Sequence, residues 1–83
     1  MNILRLAAVK ERFGFKSHAS IYTAIKEGTF VKQVNIGVRS VGWLSSEVDA
    51  IVMARAVGHT DTQIKALVTR LHAKRQELAL ALV

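Results

Sequence analysis

Apolar positions along the chain change period from one stretch to the next, and each change predicts a new element. Ile3 to Leu6 is a short stretch and a candidate strand. Leu6, Val9 and Phe13 then recur at helical spacing, with Lys10 and Arg12 off that line, which predicts a helix over about 6–13. Gly14 follows where a helix end favours a left-handed residue. Phe15-Lys16-Ser17-His18 reads as a turn, and the Ser17 hydroxyl is placed to cap a second helix. Ala19, Ile21, Tyr22, Ala24 and Ile25 supply the buried side of that helix, and Gly28 stops it after Lys26-Glu27. Two short helices around a short turn are the helix-turn-helix plan.

From Thr29 the pattern alternates. Phe30, Val31, Val34, Ile36, Val38, Val41 and Trp43 favour strands, and Gly37-Val38-Arg39-Ser40 interrupts them. The expected hairpin has strands near Gln33 to Ile36 and Ser40 to Leu44. A hairpin directly after a helix-turn-helix is a wing. Ser45-Ser46-Glu47-Val48-Asp49 opens a third helix, with Val48, Ile51, Val52 and Arg55 in helical register and Gly58 as the stop. Thr60-Asp61-Thr62-Gln63 has the capping-box pattern, Thr60 as the cap and Gln63 reaching back. A last helix runs from about Asp61 to near Leu82. Its apolar stripe is Ile64, Leu67, Val68, Leu71, Leu78 and Leu82, interrupted by Lys74 and Arg75. Ile64, Leu71 and Leu78 are spaced by sevens, as on a coiled-coil seam; the helix either folds back on its own domain or pairs with a second copy, and self-association is the favoured reading.

The expected fold is therefore mainly α with a small β-hairpin, a winged helix-turn-helix followed by a long C-terminal helix. Two units are expected: a DNA-binding domain over 1–58 and a self-association helix over 59–83. A chain of 83 residues buries only a thin core. With no cysteine, neither a disulfide framework nor a cysteine-based zinc site is available. The formal charge of +6 is unevenly placed. Seven Lys/Arg stand against Glu11 and Glu27 up to Leu44, and five stand against four acids beyond it. A basic half points to a polyanionic partner, nucleic acid before an anionic membrane surface. No apolar run reaches the length of a membrane span, and Met1-Asn2-Ile3-Leu4-Arg5 is no signal peptide, so a cytoplasmic location is expected.

Certain residues carry a family likeness. Leu4-Arg5-Leu6, Val9, Gly14, Ile21-Tyr22, Ile25-Lys26-Glu27-Gly28-Thr29-Phe30, Arg39-Ser40-Val41-Gly42-Trp43-Leu44 and Glu47-Val48 resemble the AlpA-type family. Its members are small phage-derived transcriptional regulators and excisionase-like proteins with a winged helix-turn-helix related to the MerR type. The resemblance spans roughly Leu4 to Arg55. It departs from the family pattern at Val31-Lys32-Gln33, where prolines are usual, and at Ile51, near where a second Trp often stands.

The resemblance implies that the second helix enters the major groove of DNA. On its N-terminal end and exposed face, Lys16, Ser17, His18, Ser20, Thr23 and Lys26 are the candidate contacts. For Ser17 and Ser20, helix capping is the competing reading. Tyr22 either packs its ring while its hydroxyl reaches a phosphate, or is purely structural. Arg39 at the wing tip, with Ser40 beside it, is placed for a phosphate or a narrow minor groove, and Lys32 and Gln33 at the wing base for phosphates. Solvated surface is the bland alternative for each. Trp43, Phe13, Phe15 and Phe30 read as core. His59 and His72 read as surface residues, and with His18 they have no metal-ligand spacing.

Neither a paired-carboxylate site, a nucleophile triad nor a Gly-rich phosphate loop is present, so no enzyme, metal or cofactor is expected. Sequence-specific binding to double-stranded DNA by a dimer or higher assembly leads, either as transcriptional control or as excisionase activity (a recombination directionality factor) with an integrase as partner. The competing class is a protein-interaction adaptor that uses the last helix, the basic half being incidental. The ending Leu78 to Val83 is too short to anchor in a membrane alone.

Overall fold

A computed structural model describes residues 2–81. In chain order the elements are β1 (Ile3–Leu4), α1 (Leu6–Phe13), α2 (His18–Glu27), β2 (Val34–Gly37), β3 (Ser40–Leu44), α3 (Ser45–Ala56) and α4 (Asp61–Ala81). The architecture is mainly helical, with a small antiparallel sheet and a long C-terminal helix, as the periodicity predicts.

Local chemistry sets the element ends. Gly14 and Gly28 close α1 and α2 in the left-handed region, at φ 84° and 85°. The Ser17 hydroxyl accepts from the Ser20 N–H at 3.2 Å and so caps α2. At the start of α4, Thr60 N–H donates to Gln63 Oε1 at 2.8 Å and Gln63 N–H to Thr60 Oγ1 at 3.3 Å, a complete capping box.

The hairpin is part of a three-stranded sheet in the order β1-β3-β2. Ile3 pairs with Leu44 and Leu4 with Trp43, so the N-terminal segment lies beside the inner strand of the wing. Ser45 N–H donates to the Asn2 carbonyl at 2.8 Å and extends this pairing. Gly42 is what permits it. A Cβ there would fall 2.3 Å from Ile3 Cγ2 and 3.2 Å from the Leu4 carbonyl oxygen. Between β2 and β3 the register shifts by one residue between Asn35 and Gly37, and the turn that follows is Val38-Arg39. The second strand begins at Val34, one residue later than the alternation predicts.

One core joins the elements. Val9, Ile21, Phe30, Val31, Trp43, Val48, Ile51, Ala54, Ile64 and Val68 are buried together. Each fully buried large side chain contributes about 1.5–3 kcal/mol. The Trp43 indole N–H donates to the Val31 carbonyl at 3.1 Å, so the largest core residue leaves no polar atom unsatisfied. Ile64 and Val68 of α4 belong to this same core. They were expected on a self-association seam, but they are buried against their own chain and have no surface to offer a second copy. Leu67 and Leu71 are partly buried against that core, and Leu78 is exposed. Leu82 lies outside the described residues.

Candidate nucleic-acid interface

Three aromatic rings fix the turn between α1 and α2. Phe13 and Phe15 stack at 4.7 Å between centroids, and Phe30 meets both edge-on at 5.2 and 5.4 Å. Lys16, Ser17 and His18 follow Phe15 directly and are all exposed, so the start of α2 is held from below and open above. Along α2, Tyr22, Thr23 and Lys26 are exposed while Ile21 is buried and Ala24 and Ile25 half-buried. This is the split a recognition helix requires. Ser20 is half-buried, and its hydroxyl shares a hydrogen bond with that of Ser17 at 3.0 Å. Both hydroxyls are thus engaged at the helix start, in the capping arrangement weighed for them.

Tyr22 divides as an amphipathic side chain would. Its ring lies 6.3 Å from that of Trp43, tilted by 58°, and 39 % of the residue remains exposed. It therefore joins the exposed face of α2 to the inner strand of the wing. At the wing tip Val38 is 92 % exposed and Arg39 is exposed with φ 62°. Among the described residues Arg39 is the non-glycine residue held in the left-handed region, a conformation that costs about 1–2 kcal/mol. Ser40 and Gln33 are half-buried, and Lys32 is exposed.

Ion pairing sharpens the charge asymmetry. Arg12 pairs with Asp49 at 3.0 Å, Arg55 with Asp61 at 2.8 Å, and Arg75 with Glu47. Three of the six acids are thereby neutralised, all of them on α3 and α4. Among the described residues Lys16, Lys26, Lys32 and Arg39 carry no such partner. These four lie on the α2 start, the α2 face and the wing, while Arg5 and Lys10, also without such a partner, lie at the start of α1 and within it. Lys10, which the sequence reading passed over, lines a shallow hollow of about 430 Å³ with His18, Gly14 and Phe15. Its i, i+3 and i+4 neighbours on α1 gave no hint of this, because the hollow forms only when α2 folds back across α1.

Two residues set aside as surface or interruption are built into the interior edge of this site. Glu47, 5 % exposed, receives both the Arg75 Nε–H, at 2.8 and 3.0 Å, and the Arg75 Nη2–H. The same Nη2 donates to the Lys32 carbonyl at 2.7 Å. His72 is half-buried, and its Nε2 accepts the Lys32 N–H at 3.1 Å. Burial, with Arg75 next in order, holds the His72 pKa below its usual 6.5, and Lys32 adds to this while Glu47 opposes it.

A helix-turn-helix, a wing beside it and a basic exposed face on both are the features of a small winged helix-turn-helix fold. The model of the prophage CP4-57 regulatory protein (AlpA) family matches residues 2–56, two thirds of the chain, and the chain belongs to that family. The uncharacterized protein ORF88 of Enterobacteria phage P4 is 40 % identical over 55 residues. Those residues make up 66 % of this chain and 61 % of the relative, so the chain spans about three fifths of that relative's length. No solved structure matches the chain. Family membership and the wing-bearing helical fold together support a DNA-binding regulatory role. No helix among the described residues is long and apolar enough to cross a membrane.

Proposed function

We propose that this chain binds double-stranded DNA sequence-specifically as a phage-type regulator, with α2 in the major groove and the wing across the minor groove or backbone. The observation that carries this reading is the unpaired basic face that runs from Lys16 along α2 to the wing, within the family-matched segment. Lys16, His18, Thr23 and Lys26 are the base-reading or groove-edge candidates, with Tyr22 at a phosphate. Lys32, Gln33, Arg39 and Ser40 hold the backbone on the wing side. Ser17 and Ser20 contribute through the shape of the helix start. Both transcriptional control and excision of a mobile element, the latter with an integrase, use this chemistry.

Selection of sheared genomic DNA by the purified protein tests the proposal. A short repeated site beside an attachment site marks an excision factor, and enrichment at promoters marks a transcription regulator. Lys26→Ala and Arg39→Ala each weaken binding with the fold intact, and unchanged affinity in both refutes the assignment of groove and wing. The exposed Leu78 favours a second reading, in which the end of α4 meets another protein or a second copy. A salt series separates the two classes, because duplex affinity falls steeply with salt and apolar docking hardly changes. Light scattering on Leu78→Ser reads the self-association, which leaves the core residues Ile64 and Val68 untouched.

A further inference from the structure

The loop between α2 and the wing is held from the far side by α4. Both backbone polar groups of Lys32 are taken by α4 side chains: its N–H by His72 Nε2 and its carbonyl by Arg75 Nη2. Arg75 is itself fixed by the buried Glu47 of α3, which leaves it little freedom to swing away. Lys32 sits directly after the buried pair Phe30 and Val31, and its own side chain is exposed on the wing base. Backbone held at both groups gives that side chain a defined origin. None of the α4 residues involved lies within the family-matched segment.

We infer that α4 is a positioning clamp for the wing base, in which His72 and Arg75 fix Lys32 for its DNA contact and protonation of His72 releases one of the two holds. This rests on the DNA-binding reading above. The chemistry of release is specific. A neutral imidazole accepts at Nε2 with its proton on Nδ1, whereas an imidazolium has no acceptor left and would point an N–H at the Lys32 N–H. The charged groups that face His72 are Arg75 on its own helix, Lys32 on the loop and Glu47 on α3. The first two oppose its protonation and the third favours it. With the folded pKa below 6.5, the hold is complete above that value and is lost as the pH falls through the lowered one.

The test uses the full chain, a fluorescein-labelled mixed-sequence duplex at low salt, and the variants His72→Gln, His72→Ala and Lys32→Ala. Glutamine keeps an acceptor and does not titrate. The reading is the ratio of wild type to His72→Gln at each pH, so that every effect of pH common to both chains cancels. That ratio is near one at neutral pH, and the wild type becomes weaker by about threefold to tenfold in mild acid, the worth of one hydrogen bond. His72→Ala costs a similar factor when Lys32 is present and nothing once Lys32→Ala has been made, because the residue acts through Lys32. A ratio that stays at one across the pH range, or an equal cost in both backgrounds, overturns the clamp. If no duplex is bound even by the wild type, the DNA-binding reading fails separately. The clamp is then read on amide exchange of Lys32, which quickens in His72→Ala, and unchanged exchange there overturns it.

Discussion

Replacing Arg75 by leucine isolates the strongest polar contact between α4 and the rest of the chain. The guanidinium gives three hydrogen bonds to Glu47 and one to the Lys32 carbonyl. Its side chain is 19 % exposed and that of Glu47 6 %, so the pair is largely screened from solvent. Removing one partner leaves a buried carboxylate with no counter-charge, which costs about 3–5 kcal/mol. A domain of 83 residues has about 4–12 kcal/mol in hand, so the variant is left marginal. At this size each kcal/mol moves the melting temperature by about 4–8 °C, and a fall of about 12 °C or more is expected.

Thermal unfolding followed by the fluorescence of Trp43, the single tryptophan and fully buried, reports the transition directly. The double variant Glu47→Leu/Arg75→Leu regains most of the loss, because two apolar side chains leave no charge to desolvate. By contrast Arg12→Ala, which breaks an exposed pair with Asp49, costs at most about 1 kcal/mol. An Arg75→Leu chain that melts within about 2 °C of the wild type would refute the argument. So would a double variant as unstable as the single one, since the damage would then come from lost shape and not from the orphaned charge.

Three further outcomes follow from the same geometry. Arg39→Gly relieves the left-handed strain at the wing tip and raises stability by about 1 kcal/mol, while duplex affinity falls; a melt and a binding titration on one sample show the opposed changes. Gly42→Ala drives a methyl into Ile3 and the Leu4 carbonyl, and costs about 1–3 kcal/mol in denaturant unfolding. Truncation after Gly58 removes Ile64 and Val68 from the core, so the shortened chain loses its cooperative melt; a sharp native-like transition for residues 1–58 would contradict the shared core.

Elements defined by neighbours in sequence were legible from the sequence. The caps at Ser17 and Thr60, the stops at Gly14 and Gly28 and the switch from helical to alternating spacing after Thr29 each act over a few residues. The exposed face of α2 was legible in part: His18, Thr23 and Lys26 are exposed as expected, whereas Ala19 and Tyr22, read as buried, are exposed and Ser20 is half-buried. What the sequence hid depends on partners far along the chain. The strand at Ile3–Leu4 was a candidate from the sequence, but its place beside β3, some 40 residues on, was not legible. Glu47 resembles any acidic residue in a first helical turn until Arg75, 28 positions later, closes on it. His72 and Arg75 looked like a solvated edge and a break in the stripe, because the Lys32 backbone that engages them lies some 40 residues upstream.

The stripe of α4 shows most clearly what periodicity leaves open. Spacing identifies an apolar helix face but does not say whose core that face covers. From Ile64 to Arg75 the face is spent within the chain, a length of about 16 Å at helical rise, and from there to Ala81 about 9 Å projects beyond the last anchor. Leu78 continues the Ile64–Leu71 line and borders a groove with Leu44, Leu71, Lys74 and Arg75. Leu80, two positions on, faces the other way, so the two leucines cannot serve one seam. A contact with a second copy would therefore centre on Leu78, less than one turn from Arg75.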